Sequence, residues 1–426
     1  MKLRALAAAI TVGTLAAGLA ACSTAGQGTA TTLTLWHNSA DSPALLQLYK
    51  DFEAASGIRI DLVDVPSDAF ETTVLTKWAT GERPDLLEYH PTVANLLALN
   101  PKNTMVDLTD MAFVSKSGDL YKGMGSIDGR VYAAITGFPS VFGMYYNKEV
   151  FKANGLEPPT SFGDLRSLCQ KLKSTKVAPI WESGGSVWPT QVLPLMYLAE
   201  ANLGNEYGAA VAANKQSLAA PGNQFIAALQ AYSDLGKEGC FNSDATSATF
   251  EDGLKAVYNG TAAMTALHSD TYASLLADAG GDADALAAKV GFVPVSATKP
   301  VGTWAGGPLG TYFVPKTGDS AKEAAAKKFI EFATGDGYQK LVNDAKAFPV
   351  ISTATSPGGF TSLQLEYQAA YEKESAVGFN SNIAGFFGFA TETTKLLAGQ
   401  TTPEDAAASM QTQVEQASKA AGVAGW

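Results

Sequence analysis

The chain has 426 residues, of which 30 are Lys or Arg and 41 are Asp or Glu, so its formal net charge is −11. This length exceeds one ordinary core and predicts two packed units of about 150 to 200 residues each. A hydrophobic fraction of 46% and a charged fraction of 17% exclude disorder over most of the chain. The acidic balance argues against nucleic acid or an anionic lipid surface as a partner, because both are bound by dense basic faces.

The N-terminus has the pattern of a lipoprotein export signal. Lys2 and Arg4 precede an apolar stretch over residues 5–21, which is short for a transmembrane helix and ends in small residues. The run Leu19-Ala20-Ala21-Cys22 resembles a lipobox, whose cysteine thiol accepts a diacylglycerol. An ordinary secretory signal or a transmembrane helix with a chance cysteine is the alternative. The regions expected from this pattern are a signal peptide (1–21), a lipidated Cys22 and a flexible tether (22–31).

Removal of the signal and lipidation of Cys22 leave two thiols, those of Cys169 and Cys240. In an oxidising space outside the cytoplasm we expect them to pair, and closing a loop of about 70 residues contributes roughly 4 kcal/mol in the chain-entropy picture. Two buried, unpaired cysteines are the alternative. Neither residue lies in a C-x-x-C or Cys/His cluster, which argues against a metal site at these cysteines.

Hydrophobic periodicity alternates between strands and helices along the chain. Residues 33–36 predict a strand, 45–52 a helix that ends at Gly57, and 58–63 a second strand. Strand, helix and strand at this spacing form a βαβ unit, which predicts an α/β fold with a mostly parallel sheet. The further predicted strands cover residues 86–87, 131–135 and 142–146, and the further predicted helices cover residues 70–80, 148–153, 162–172, 221–235, 321–332 and 403–421.

Motifs of several common enzyme classes are missing from the sequence. The histidines are isolated, so zinc spacings such as H-E-x-x-H are absent, and no P-loop, dinucleotide-binding glycine motif or G-x-S-x-G elbow occurs. We therefore expect no cofactor and no metal. Neighbouring carboxylates such as Asp61 with Asp64, or Glu82 with Asp85 and Glu88, leave an exported glycosidase open as a hypothesis.

Several short motifs, taken in their order, resemble the extracellular solute-binding proteins of ABC importers, in the family that includes maltose-binding and multiple-sugar-binding lipoproteins. They extend over nearly the whole mature chain. The motifs are the strand at 33–36 after the lipobox, GERPDLL at 81–87, IDGRVYA at 127–133, MYYNKEVF at 144–151, GLEPPTSF at 155–162, YNGTAAM at 258–264 and AGQTTPEDA at 398–406.

The resemblance implies two α/β lobes with mixed, mostly parallel sheets, joined by crossing hinge strands and closing on a ligand in the cleft between them. The implied crossings lie near residues 107–115, 260–265 and 308–316. The implied N-terminal lobe consists of residues 32–113 and 264–312, and the implied C-terminal lobe consists of residues 114–263 and 313–426.

Cleft side chains should lie on loops that follow parallel strands, and sugar sites combine aromatic rings with hydrogen-bonding groups. Tyr89 and Phe386 fall at stacking positions of the maltose-binding relative, and core packing is the alternative for each aromatic residue. The residues predicted to bind the ligand are Trp36, His37, Asn38, Glu88, Tyr89, His90, His268, Asp270 and Trp304 from the first lobe, and Trp181, Glu182, Trp188, Phe386 and Phe387 from the second.

These features favour a monomeric, lipid-anchored, extracytoplasmic binding protein that is not an enzyme. It would capture a neutral sugar or short oligosaccharide and deliver it to the permease subunits of an ABC importer, because the predicted cleft loops carry no Lys or Arg. A binding protein for a phosphorylated solute, such as a glycerol phosphodiester, is the second hypothesis. An exported glycosidase and a purely structural surface lipoprotein are the remaining ones.

Overall fold

The computed structural model describes residues 31–39, 41–66, 70–118, 120–305 and 310–426. The expected signal peptide, Cys22 and nearly all of the tether lie outside the described residues, so lipidation of Cys22 stays a prediction. In the ranges that are described, no helix is both long enough and apolar enough to cross a membrane.

Strands and helices alternate over most of the chain, which confirms the expected α/β class. The strands are β1 (Thr32–Asn38), β2 (Arg59–Val65), β3 (Leu86–Glu88), β4 (Ser126–Ile127), β5 (Arg130–Val131), β6 (Ala133–Ile135), β7 (Ser140–Asn147), β8 (Ala178–Trp181), β9 (Ala262–His268), β10 (Val290–Val293), β11 (Gly302–Ala305), β12 (Thr311–Phe313) and β13 (Ser375–Val377). The helices are α1 (Pro43–Ser56), α2 (Phe70–Ala79), α3 (Val93–Leu99), α4 (Pro101–Thr104), α5 (Leu120–Gly123), α6 (Lys148–Ala153), α7 (Phe162–Leu172), α8 (Val192–Leu198), α9 (Glu206–Ala212), α10 (Gln224–Lys237), α11 (Phe250–Asn259), α12 (Tyr272–Asp278), α13 (Ala283–Lys289), α14 (Ser320–Thr334), α15 (Tyr338–Ala345), α16 (Ser362–Glu372), α17 (Phe389–Leu397) and α18 (Pro403–Ala420).

Local capping explains why several elements begin and end where the sequence predicts. The Ser42 side chain accepts a hydrogen bond from the Leu45 N–H at the start of α1, and Gly57 ends that helix with a φ of 69°. Asp128 and Gly129 both have positive φ, as the two-residue turn between β4 and β5 requires. Helices α6 and α7 have the bounds predicted from the sequence.

The first sheet has the strand order β2-β1-β3-β12-β6. Strand β1 is parallel to β2 and β3, which confirms the predicted βαβ unit, whereas β12 is antiparallel to β3 and β6. Helices α1 and α14 cover one face, where the rings of Phe52 and Phe329 pack edge to face with centroids 5.3 Å apart.

The second sheet has the order β13-β11-β7-β9-β8, and β10 also pairs with β7. Strand β7 is antiparallel to β9, β10 and β11, and the pairs β8–β9 and β11–β13 are parallel. Buried side chains lie on both faces of this sheet. Cys169 in α7 and Cys240 after α10 form the disulfide expected from the sequence, with their Cα atoms 5.4 Å apart, inside one of these cores.

The main chain crosses between the two sheets after β6, after β11 and between α15 and α16. We call residues 31–135 and 311–354 the first lobe, and residues 140–305 and 362–426 the second lobe. The passage from β11 to β12 lies close to the predicted crossing near 308–316.

The strand pairing corrects the predicted lobe boundaries. Strands β9, β10 and β11 were assigned to the N-terminal lobe within residues 264–312, but all of them belong to the sheet built around β7. Strand β6 was assigned to the C-terminal lobe, but it completes the first sheet by pairing with β12. The crossings near 107–115 and 260–265, which the resemblance implied, were misplaced because a motif or a hydrophobic pattern identifies a strand without identifying its partners.

Candidate functional site

Loops from both lobes gather at the crossings. In the first sheet, β1 ends at Asn38 and β3 at Glu88, and Glu88 pairs with Tyr312 in the strand that follows a crossing. In the second sheet, β9 ends at His268, which pairs with Phe142 at the start of β7. The loops that follow β1, β3, β8 and β9 therefore lie along the edges where the lobes join, which is where α/β proteins bind ligands.

At the first-lobe edge, three predicted ligand residues are buried and bonded within the protein. The Glu88 carboxylate accepts hydrogen bonds from Asn38 N–H at 3.1 Å and Gly310 N–H at 2.7 Å. His37 Nδ1 lies 3.0 Å from Asp41 Oδ2, and Tyr49 donates its hydroxyl proton to the same oxygen at 2.9 Å. His37, Asn38 and Glu88 thus form part of a polar cluster beneath the edge.

The electrostatics of this cluster follow from its burial. Burial raises the pKa of Glu88 well above its usual range, and the neighbouring Asp41 carboxyl raises it further, against the two backbone N–H groups. Burial by itself lowers the pKa of His37, but Asp41 and Asp64 together raise it above its usual value. The cluster therefore favours a protonated Glu88 beside a charged His37 when no other cation is bound.

Trp36 and Tyr89, both predicted to stack on a ligand, lie in the first-lobe core. The Lys77 ammonium is 5.2 Å from the Trp36 ring centroid, and the Tyr89 ring packs 5.8 Å from that of Phe70. Core packing, the alternative left open for each aromatic residue, describes the observed positions of both rings.

His90 is the partly exposed member of the β3 loop. Its Nδ1 atom lies 2.6 Å from Glu71 Oε1, and its ring stacks against Tyr89 at a centroid distance of 6.2 Å. The hydrogen bond with His90 lowers the pKa of Glu71, so that carboxyl stays ionised and holds the imidazole in place. His90 is thus oriented at the edge, with part of its ring open to solvent.

At the second-lobe edge, Trp188, Phe250 and His268 form a partly buried cluster that we call the aromatic surface. The Trp188 ring lies 4.7 Å from that of His268 and 5.4 Å from that of Phe250, while Phe142 supports His268 from below at 5.9 Å. Burial lowers the pKa of His268, although Asp270 acts in the opposite direction. Neutral His268 and the exposed Asp270 carboxylate are therefore available beside the rings.

Phe250 is a member of the aromatic surface that sequence reasoning missed. It occupies the first turn of α11, directly after the N-cap Thr249, whose side chain accepts from the Asp252 N–H. The sequence search considered residues that follow predicted strands. Phe250 does not follow a strand, because it lies at the edge as the first residue of a helix. A search of helix N-termini for aromatic residues would have included it.

The loop from 183 to 188 holds Trp188 through an unusual backbone. A Cβ atom on Gly185 would lie 2.3 Å from the Ser247 carbonyl oxygen, so only glycine fits there. Val187 has φ 62° and ψ −64°, a conformation that a β-branched residue adopts only under strain, and its side chain is 42% exposed. Thr190 holds this conformation by donating both its N–H and its hydroxyl proton to the Val187 carbonyl oxygen.

Trp181 and Glu182, which directly precede this loop, anchor it through hydrogen bonds. Trp181 donates its indole N–H to the Thr249 carbonyl oxygen at 3.3 Å, and Glu182 accepts from the Ser183 N–H at 2.9 Å. Burial raises the pKa of Glu182 to about 7, against the Ser183 N–H and the neighbouring Tyr232 hydroxyl, which lower it. Glu182 is buried, so its carboxyl faces protein groups.

The remaining predicted site residues are buried in core clusters or have side chains outside the described part of the chain. Trp304, in β11 of the second lobe, packs edge to face on Tyr371 with centroids 5.9 Å apart, and its buried side chain joins the core cluster formed mostly by first-lobe residues. Phe386 lies in the second-lobe core, 5.0 Å from Phe389. The side chain of Phe387 lies outside the described residues. The structure therefore brings Trp188, His268 and Asp270 together at the edge, and places Trp304 and Phe386 elsewhere.

Comparison with known proteins assigns a family to this arrangement. Residues 36–340 match the bacterial extracellular solute-binding protein family. The chain belongs to this family. This family member is 25% identical over 168 residues to the multiple sugar-binding protein of Streptococcus mutans, covering 38% of this chain and 39% of that protein. It is 28% identical over 217 residues to the putative ABC transporter periplasmic-binding protein YcjN of Escherichia coli, covering 49% and 47%.

The alignment with each of these relatives spans less than half of that relative's length. A solved chitin oligosaccharide binding protein superposes with a TM-score of 0.76 at 20% identity, covering 92% of this solute-binding protein and 100% of that chain. Likeness at this identity establishes the fold, and the two-lobe architecture is accordingly that of solute-binding proteins.

The buried carboxyl of Glu182 should make the free energy of unfolding depend on pH. Because its pKa is raised in the folded state, the native protein binds a proton between pH 4.5 and about 7 that the unfolded chain has lost. The free energy of unfolding should therefore fall by on the order of 3 kcal/mol across this range, relative to a Glu182→Gln variant. Urea denaturation at several pH values measures this difference, and parallel pH profiles for the two proteins would contradict it.

Substitutions at Val187 should reveal backbone strain in the loop from 183 to 188. Val187→Gly removes the Cβ atom that makes the positive φ unfavourable, whereas Val187→Ala keeps it. We expect the glycine variant to be more stable than the alanine variant by about 1 kcal/mol, after the entropy cost of glycine. Urea denaturation of the two variants is the measurement, and equal or lower stability of the glycine variant would show that the loop is relaxed.

Proposed function

We propose that this chain is the substrate-binding subunit of an ABC importer and that it captures a neutral sugar or short oligosaccharide. The observation that carries the proposal is the aromatic surface of Trp188, Phe250 and His268, which is partly exposed at the edge where the lobes join. The names of the relatives support the same ligand class, since one is a multiple sugar-binding protein and another a chitin oligosaccharide binding protein.

Sugar chemistry fits the groups at this edge. A pyranose presents an apolar C–H face, which packs on aromatic rings, and a belt of hydroxyl groups, which need acceptors and donors. The exposed Asp270 carboxylate and the imidazole of His268 supply these within the aromatic surface, and His90 supplies a further imidazole at the first-lobe edge. We therefore propose Trp188, Phe250, His268, Asp270 and His90 as ligand contacts.

Charge at the edge disfavours a phosphorylated solute. The loops 38–41, 88–90, 182–188 and 268–270 contain no Lys or Arg. A phosphate needs cationic side chains or convergent N–H groups to replace its hydration. The glycosidase hypothesis also loses support, because the adjacent carboxyls of Asp41 and Glu88 are buried and bonded rather than open to a substrate.

The mechanism we propose is closure of the lobes around the sugar. The crossings after β6 and β11 are short, so changes in a few backbone dihedrals there can reorient one lobe against the other. A sugar that contacts both edges stabilises the closed form by its differential affinity for that form. The closed form then docks on the permease, and lipid on Cys22 keeps the protein beside it.

Calorimetric titration tests the ligand class. We expect saturable binding of at least one neutral oligosaccharide from a panel of maltotriose, raffinose and N,N′-diacetylchitobiose and its longer homologues. No reducing ends should be released during prolonged incubation, because the proposed site lacks an open carboxyl pair. Release of reducing ends would favour a glycosidase, and binding of glycerol phosphodiesters alone would replace the sugar proposal.

Two matched aromatic variants then separate the site from the core. Trp188→Ala should weaken binding of the sugar found in that titration by about 10-fold or more, because stacking contributes roughly 0.5–1.5 kcal/mol beyond the area it buries. Its melting temperature should fall less than that of the Phe386→Ala variant, since the Trp188 ring is only partly buried. Phe386→Ala should instead lower the free energy of unfolding by ~3–5 kcal/mol, because it empties a buried position. The opposite pattern in calorimetry and thermal melts would assign the ligand to the Phe386 region.

A further inference from the structure

We propose that His37, Asp41 and Glu88 form a binding site for a divalent transition-metal cation of the zinc class, inside the first lobe beneath its edge. One ligand atom from each of these residues can be chosen so that all lie within 4.8 Å of one another. This assignment differs from the expectation drawn from the sequence, which finds no known zinc spacing among the histidines and carboxylates.

The cluster is assembled by three separate parts of the fold. His37 is the second-last residue of β1, Asp41 lies in the loop before α1, and Glu88 is the last residue of β3. The parallel pairing of β1 with β3 brings the ends of the two strands side by side. The side chains of His37 and Asp41 are only 4% and 1% exposed, so the groups are held in place by their surroundings.

An unpartnered oxygen points to a missing positive group. Asp41 Oδ2 accepts from Tyr49 and contacts His37 Nδ1, whereas in the described residues the buried Oδ1 atom has no N–H or hydroxyl partner, so the neighbouring Glu88 carboxyl can donate to Asp41 only when it is protonated. A buried carboxylate oxygen without a partner is costly. A cation bound at this oxygen removes that cost.

The surroundings resemble the outer shell of a metal site. His37 Nε2 lies 2.9 Å from Asp64 Oδ1, although the alignment falls short of a hydrogen bond, and the Glu88 oxygens accept from two backbone N–H groups. A metal-bound imidazole is commonly held in this way, with a carboxylate at the far nitrogen. Metal at Nδ1 would leave Nε2 as the proton donor toward Asp64.

Charge and donor type select the cation. A neutral imidazole with two carboxylates carries −2, which a divalent cation neutralises within the buried cluster. Imidazole favours zinc and its neighbours over calcium and magnesium, which prefer oxygen ligands alone. A tetrahedral zinc site has ligand atoms about 3.4 Å apart, so the carboxylates must move inward by about 1 Å as the metal binds.

Metal analysis of the full chain tests the proposal without any sugar. The protein is stripped with EDTA, exposed to zinc chloride and passed through a desalting column, and bound zinc is measured by mass spectrometry. We expect one zinc per chain and a melting temperature several degrees above that of the stripped protein, since the metal binds only the folded form. Calcium and magnesium chloride should give neither effect.

Variants locate the metal. Asp64→Asn changes a carboxylate that is 78% exposed, so the fold should survive, and zinc affinity should fall by about 10-fold or more through the loss of His37 orientation. Glu71→Gln is the matched control, because it removes a carboxylate paired with His90 in the same lobe and should leave zinc affinity unchanged. Asp41→Asn should abolish stoichiometric zinc binding.

Two results would overturn the proposal. The first is a protein that retains no zinc and melts at the same temperature in zinc and in EDTA, which would identify a proton as the group between the carboxyls. The second is zinc retained equally by the wild-type protein and by the Asp64→Asn and Asp41→Asn variants, which would place the metal elsewhere.

Discussion

Strand β12 enters the first sheet directly after the chain leaves the second one, and it pairs with β3 on one side and β6 on the other. This pairing holds the first lobe together at its centre and fixes the position of the crossing beside it. Gly310, at the start of the strand, donates its N–H to Glu88 and accepts the hydroxyl proton of Thr136 at 2.6 Å. Both crossings that flank the edge are therefore tied to the same few atoms, and the geometry of the edge depends on them.

The two lobes contribute different surfaces to this edge. The first lobe presents loops whose polar groups are turned inward around Glu88 and Asp41, where burial makes every unpaired group costly. The second lobe presents rings, with Trp188 held outward by a loop whose glycines touch neighbouring carbonyl groups. A rigid polar base on one side and an apolar face on the other suit a ligand that has both hydroxyls and C–H faces.

Sequence reasoning succeeded where the controlling interactions are local. The ends of α1, α6 and α7 follow from caps and hydrophobic spacing within a few residues. The disulfide also follows from composition, because two thiols remained. The lobe boundaries could not be predicted, since whether 262–305 pairs with β7 or with the first sheet depends on partners far away in the chain. For the same reason Trp36 and Trp188, each close to the end of a strand or loop, could not be separated into core and edge from their neighbours in the sequence.

The interleaved order of the strands also governs when each lobe can be completed as the chain is made. All strands that surround β7 precede β12 except β13, so most of the second sheet is synthesised before the first sheet receives β12, its last strand in chain order. Until residues 311–334 emerge, the open side of β3 and the face of Phe52 that packs on α14 lack their covering partners. The lobe that is begun first thus stays incomplete until most of the second sheet has been made, and it exposes an unpaired strand and apolar surface in the meantime, which is the condition under which nascent chains aggregate or need a chaperone.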